Sequence, residues 1–165
     1  MQKEIILAGG CFWGVEKYMG LLAQVVETEV GFANGDIKNP TYEDVYTGKT
    51  GFAEVVRVVY TGELEDLLDG FYKIIDPTTK NRQANDVGSH YRTGIYTNDP
   101  DEREIIQKSL NELQKGLDKL VVVENLPLKN YYPADEYHQK YLDKNPEGYC
   151  HIPDYMYEEA RSANS

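Results

Sequence analysis

A two-layer α/β sandwich is the fold this sequence predicts, and three observations carry that expectation. Strand-like and helical patterns alternate in the order β-α-β-β-α-β, with a further helix and strand after them. The third strand-like run, FAEVVRVVY, is mostly apolar on both faces, as a central strand should be. The clearest helical stretch, DPDEREIIQKSLNELQKGL, puts Ile105, Ile106, Leu110, Leu113 and Leu117 on one stripe. Together these describe an α+β sandwich with a ferredoxin-like β-α-β-β-α-β core and extra elements.

The elements follow one another with local reasons. Strands are predicted over residues 4–8, 24–32, 52–60, 92–97 and 120–125. The first, KEIILAGG, is a β-type apolar run that feeds two glycines. Helices are predicted over residues 12–22, 64–75, 101–117 and 135–142. The third of them is entered through Asn98 or Asp99, either a fair cap, with Pro100 at the first turn. From Pro127 onward the pattern weakens, and prolines stand at 127, 133, 146 and 153. Residues 127–165 are therefore expected to form a largely irregular C-terminal arm, with Cys150 on it.

At 165 residues the chain suits one domain with a real core, so residues 1–165 are read as a single domain. A composition of 27% charged and 41% hydrophobic residues argues against disorder. No stretch approaches the roughly 18 uninterrupted apolar residues of a membrane span. The start MQKEIILAGG lacks a basic region followed by a long apolar one. A soluble cytoplasmic protein is the expectation, with no membrane partner and with the monomer as default. The net charge of −11 opposes binding to phosphate backbones, which argues against nucleic acid. Two cysteines, Cys11 and Cys150, are far fewer than a disulfide-dense secreted scaffold carries, and neither belongs to a CxxC pair. Tyrosine is unusually frequent, 14 against 4 phenylalanines, so many aromatic faces carry a hydroxyl that donates hydrogen bonds.

Cys11 stands at the mouth of the first strand-to-helix turn, between Gly10 and the aromatic pair Phe12–Trp13. Helix N–H groups and the helix dipole there favour an anion, which would lower the thiol pKa. Gly9, Gly10 and Gly14 permit a sharp turn and close approach of a substrate. Phe12 and Trp13 offer an apolar wall for a small non-polar group. The segment alone also admits a plainer reading, in which Cys11 is a small hydrophobe at a packed turn.

GCFWGVE resembles the active-site motif of the A-type peptide methionine sulfoxide reductases. Four more segments match in the family's order: PTYEDV with Tyr42, TGFAEVV with Glu54, NRQANDVGSHYRTGIY with Asp86 and Tyr91, and YHQKYLDKNPEGYC with Cys150. The resemblance spans about residues 4 to 150. It implies reduction of the S-epimer of methionine sulfoxide, free or in oxidised proteins, as a repair of oxidative damage. Cys11 would be the nucleophile and Glu54 the general acid, its pKa raised by a strand otherwise lined with Val and Tyr. An edge-facing or salt-bridged carboxylate is the alternative for Glu54. Tyr42 and Tyr91 would donate to the sulfoxide oxygen. Asp86 would orient water or a tyrosine, unless it only makes an Asx-type turn before Gly88. Phe12 and Trp13 would seat the methyl group. Sulfenic acid on Cys11 would condense with Cys150, the resolving cysteine, and thioredoxin or a chemical dithiol would reduce the disulfide. No cofactor and no metal is implied. The chain ends in DYMYEEARSANS without a further cysteine, so the relay is expected to stop at Cys150.

The sequence departs from the family pattern at Phe52, where His is common, and at His90, Ala84 and Thr93, where Gln, Gly and Ser are usual. Two other chemistries deserve a test against structure. One is a metal site from Cys11, His90, His138, Cys150 and His151, although only Cys150–His151 has close spacing. The other is a cysteine hydrolase or transferase with Cys11, His90 and Asp86 as a triad.

Overall fold

The computed structural model, which describes residues 2–83, 86–148 and 152–162, turns the alternating pattern into a mixed α/β fold. In chain order the elements are β1 (Lys3–Gly9), α1 (Phe12–Gly20), β2 (Val25–Ala33), α2 (Tyr42–Tyr46), β3 (Ala53–Tyr60) and α3 (Leu64–Tyr72). Then come β4 (Arg82–Gln83), β5 (Asp86–Val87), a 3₁₀ turn (Ser89–Tyr91), β6 (Thr93–Tyr96) and α4 (Pro100–Lys115). The chain continues through β7 (Glu124–Leu126), β8 (Tyr131–Pro133), α5 (Tyr141–Lys144) and α6 (Asp154–Ser162).

Six strands form one sheet in the order β7-β6-β1-β3-β2-β8, and β4 pairs only with β5. The four inner strands, β6-β1-β3-β2, are mutually antiparallel and have the order of a ferredoxin-like core. The side-chain period of two sorts the sheet's faces. Leu7 pairs with Val56 and Ile5 with Val58, and these four join α1, α3 and α4 in the main core. Their neighbours Ile6 and Ala8 turn to the opposite face, into a smaller cluster closed by Leu128 and Tyr131. The run FAEVVRVVY is buried nearly throughout, as its composition predicts for a central strand.

On β3 the same period puts Glu54 on the face shared by Val56, Val58 and Tyr60, so an acidic side chain enters the main core. Its cross-strand partner is Phe32 of β2.

Two predicted elements are corrected. Residues 120–123 are not a strand, because their amides bond elsewhere: Val121 N–H to Gln114 Oε1 at 2.8 Å, Val122 N–H to Pro77 O at 2.7 Å. Only Glu124–Leu126 pairs, in parallel, with β6. Of the helix predicted over 135–142, residues 136–140 form only turns, Lys140 has a left-handed φ of 54°, and helix begins only at Tyr141. Past Pro127 the arm carries β8, α5 and the nine-residue α6, more secondary structure than proline spacing suggests. Tyr157 and Ala160 of α6 are buried in the main core, and that tertiary contact supports the helix. The short α2 was not foreseen, although Thr41 and Asp44 form a capping box around its start. No helix among the described residues is long and apolar enough to cross a membrane.

Candidate active site

The predicted turn exists and is sharp. β1 ends at Gly9, and Gly10 has a φ of 91°, a conformation that a residue with a Cβ rarely adopts. Cys11 is the N-cap of α1 and is 6% exposed. No side chain caps this helix from within the turn. Instead the Phe12 N–H, part of the peptide that follows Cys11, donates to Glu54 Oε1 at 3.2 Å. An amide left unpaired by the helix geometry is thus answered by a carboxyl from β3, 42 residues away. Thiol and acid are held one peptide apart.

Glu54 is 1% exposed. Burial pushes its pKa from 4.5 up to about 8; the Phe12 N–H opposes this and Asp86 adds to it. At neutral pH the group is therefore an un-ionised acid. Its second oxygen, Oε2, is buried with no hydrogen-bond partner among the described residues. Asp86, half-buried in β5, lies close enough for its charge to act on Glu54.

Two phenols complete this corner. Tyr42 opens α2, Tyr91 ends the 3₁₀ turn, and the two phenols lie close enough to act on each other electrostatically. Burial raises both pKa values; Glu54 and Cys11 raise them further, so both stay protonated donors. The fold thus gathers Cys11, Glu54, Tyr42, Tyr91 and Asp86 from α1, β3, α2, the 3₁₀ turn and β5 into one electrostatic neighbourhood.

The aromatic pair divides. Phe12, 1% exposed, forms a floor against Phe32, Tyr42 and His138. Trp13 is half-buried; its indole lies parallel to Tyr141 at 3.8 Å, and its Nε1–H donates to His138 Nδ1 at 3.2 Å. The sequence reading missed His138 and Tyr141 as members of this site. The segment YHQKY held the signal: aromatic rings at positions 137, 138 and 141, on one turn's spacing. What the segment does not reveal is which ring of the chain it stacks upon.

Among the described residues, neither of the two other chemistries assembles. His138 lies against Tyr42 at 4.4 Å and accepts from Trp13, whereas the ring of His90 is tilted against Tyr91 at 3.9 Å. Both ring nitrogens of His90 are buried without a hydrogen-bond partner among the described residues, so the triad's His–Asp bond is not made. No group of three metal-binding side chains occurs among the described residues. Phe52 is buried in the main core and meets Tyr132 edge-on. Cys150, with its predicted resolving role, lies outside the described residues, as do His151 and Ala84.

Comparison with known proteins agrees with this arrangement. The family described as Peptide methionine sulfoxide reductase matches residues 3–164. A "Peptide methionine sulfoxide reductase MsrA" of Clostridium perfringens is 60% identical over 153 residues, covering 91% of this chain and 98% of that protein. Among solved structures, Mxr1 of Saccharomyces cerevisiae in reduced form has a TM-score of 0.85 at 41% identity, over 90% of this chain and 88% of that one. Mxr1 has also been solved in complex with Trx2, and that structure has a TM-score of 0.60 at 30% identity, over 85% and 84% of the two chains. This chain belongs to the peptide methionine sulfoxide reductase family.

Proposed function

We propose that the protein reduces the S-epimer of methionine sulfoxide, free or in oxidised proteins, at Cys11. The observation that carries the reading is the pairing of that thiol with a neutral Glu54 across the Phe12 amide. The Cys11 thiolate attacks the sulfoxide sulfur while Glu54 gives its proton to the oxygen. Negative charge grows on that oxygen as sulfur is attacked, and Tyr42 and Tyr91, already placed as donors, stabilise it. Asp86 helps by keeping Glu54 protonated. Phe12 and Trp13 seat the methyl group. The products are methionine, reduced by two electrons, and a sulfenic acid on Cys11, oxidised by two.

Cys150 then condenses with the sulfenic acid, releasing water and forming a disulfide. The gap of 139 residues adds little cost, since loop closure rises only logarithmically with length. A dithiol protein of the thioredoxin class restores both thiols by exchange. The Mxr1–Trx2 complex supports that choice of reductant. We propose a cytoplasmic location on the composition of the chain, with the monomer as default.

Single-epimer substrates test this. Turnover of the S-sulfoxide with a chemical dithiol, and almost none of the R form, is the expected result. Cys150→Ser should yield about one equivalent of methionine per enzyme and stop cycling with thioredoxin. Normal thioredoxin-driven cycling by that variant would remove Cys150 from the relay.

A further inference from the structure

A second acid is buried in α1, and the reaction above makes no use of it. Glu16 is 3% exposed, yet it sits one helical turn beyond Phe12 and Trp13, on the same face of the helix. Its Oε1 accepts the backbone N–H of Lys140 at 2.7 Å. Its Oε2 accepts the Thr28 hydroxyl at 3.0 Å and faces the Lys140 ammonium at 3.4 Å. Lys140 Nζ also bonds Thr28 Oγ1. Lys140 itself is exposed and holds the left-handed φ of 54°, which a residue with a side chain adopts at a cost. A charge-assisted bond from a buried carboxylate to that very amide offsets the cost.

The neighbours of Lys140 show what the reversal achieves. Gln139 uses its amide as a strand would use a peptide: Oε1 accepts from Val30 N–H and Nε2 donates to Val30 O, both at 2.9 Å. His138 and Tyr141, on either side, both come to the indole of Trp13. Three consecutive residues are therefore pinned to α1 and β2, and the kink at Lys140 lets both flanking rings meet one target.

We propose that Glu16 is a positioning residue for sulfoxide reduction: by capturing the Lys140 amide it holds His138 and Tyr141 against Trp13 and so fixes the aromatic wall beside Cys11. The inference rests on the reading of Trp13 as part of the substrate site. It also places the fixed root of the C-terminal arm at residues 138–140.

Trp13 is the single tryptophan of the chain, so its emission reports on this wall directly. Glu16→Ala should shift that emission to the red at temperatures where the protein is folded. It should also raise KM for the S-sulfoxide about tenfold, with the single-turnover rate at saturation within about twofold of wild type. Glu16→Gln, whose amide oxygen still accepts from the Lys140 N–H, should restore most of both. Should Glu16→Ala fail to fold, Lys140→Pro replaces it. That exposed turn position loses its N–H and the left-handed φ, while α1 and the sheet keep all their residues. A folded variant of either kind with a lower melting temperature but wild-type emission and KM would overturn the proposal, leaving Glu16 a structural group only. If wild type does not reduce sulfoxides, the function proposed above falls, and Trp13 emission still decides whether the clamp exists.

Discussion

Glu54 and Glu102 are both carboxyls sealed inside the same fold, at 1% and 3% exposure, and their surroundings set them to different tasks. Glu102, in the first turn of α4, has both oxygens answered: Tyr60 donates to Oε2 at 2.6 Å and Thr97 to Oε1 at 2.9 Å. It ties α4 to β3 and to the end of β6. Glu54 receives one amide bond, and its other oxygen has no partner among the described residues. Burial keeps the proton on Glu54, and the unanswered oxygen leaves that group room for a further hydrogen bond. The comparison teaches that two carboxyls of like depth differ in hydrogen-bond satisfaction, and that difference marks Glu54, not Glu102, as the candidate proton donor.

The comparison can be broken at several points. The largest effect belongs to the thiol: Cys11→Ser should abolish methionine formation with a chemical dithiol, and any residual turnover would detach the Glu54 pair from the chemistry. Next is Glu54→Gln, which keeps an acceptor for the Phe12 N–H but has no proton to give. Its single-turnover rate should fall about 10²- to 10⁴-fold. Wild-type activity should decline as pH rises through about 8, where Glu54 ionises, and that limb should vanish in the variant.

Glu54→Gln carries a second consequence, in stability. The folded-state pKa lies above the unfolded value of 4.5, so between pH 4.5 and 8 the folded state binds more protons. Stability therefore drops as pH rises across that window and levels off above it. Glu54→Gln escapes this loss, so relative to wild type it should gain on the order of a few kcal/mol between pH 5 and pH 8.5. Thermal melts of both proteins at the two pH values measure it, and a constant difference would contradict the burial of a titrating Glu54.

At the other carboxyl the sign reverses. Tyr60→Phe strands Glu102 Oε2 and should cost about 1–3 kcal/mol in denaturant titrations while leaving the kcat of reduction unchanged. The smallest expected effect is at Phe52, two residues from Glu54 and a member of the main core. Phe52→His adds polar capacity near the acid, and the upper limb of the pH–activity profile should move down, by less than about one unit. An upward shift would contradict the desolvation account of Glu54.

Much of this was legible before any coordinates. The alternation of KEIILAGG, FAEVVRVVY and the α4 stripe encodes strands and helices through periods of two and 3.6, and those periods survive folding because each buries one face. Five ordered segments pointed to the candidate site residues, since their order resembles a known family's. The failures share a cause. Residues 120–123 looked like a strand, but whether a β-prone stretch pairs depends on a free neighbouring edge, which β6 offers only to Glu124–Leu126. Residues 135–142 looked helical, but a bond from Glu16, more than a hundred positions earlier, turns Lys140 the other way. Local pattern carries no record of such distant claims.

By itself the sequence determined the architecture and the candidate site residues: a glycine-led turn presenting Cys11, an acid in an apolar strand, and tyrosines placed by motif. Only the tertiary structure decided how those groups are poised. Burial keeps the proton on Glu54 against the opposing Phe12 N–H and leaves one of its oxygens unanswered among the described residues, and a kink at Lys140 brings His138 and Tyr141 to Trp13. The physical reason is that residue types and periodicity are properties of the chain, whereas desolvation and hydrogen-bond satisfaction are properties of the surroundings that folding creates.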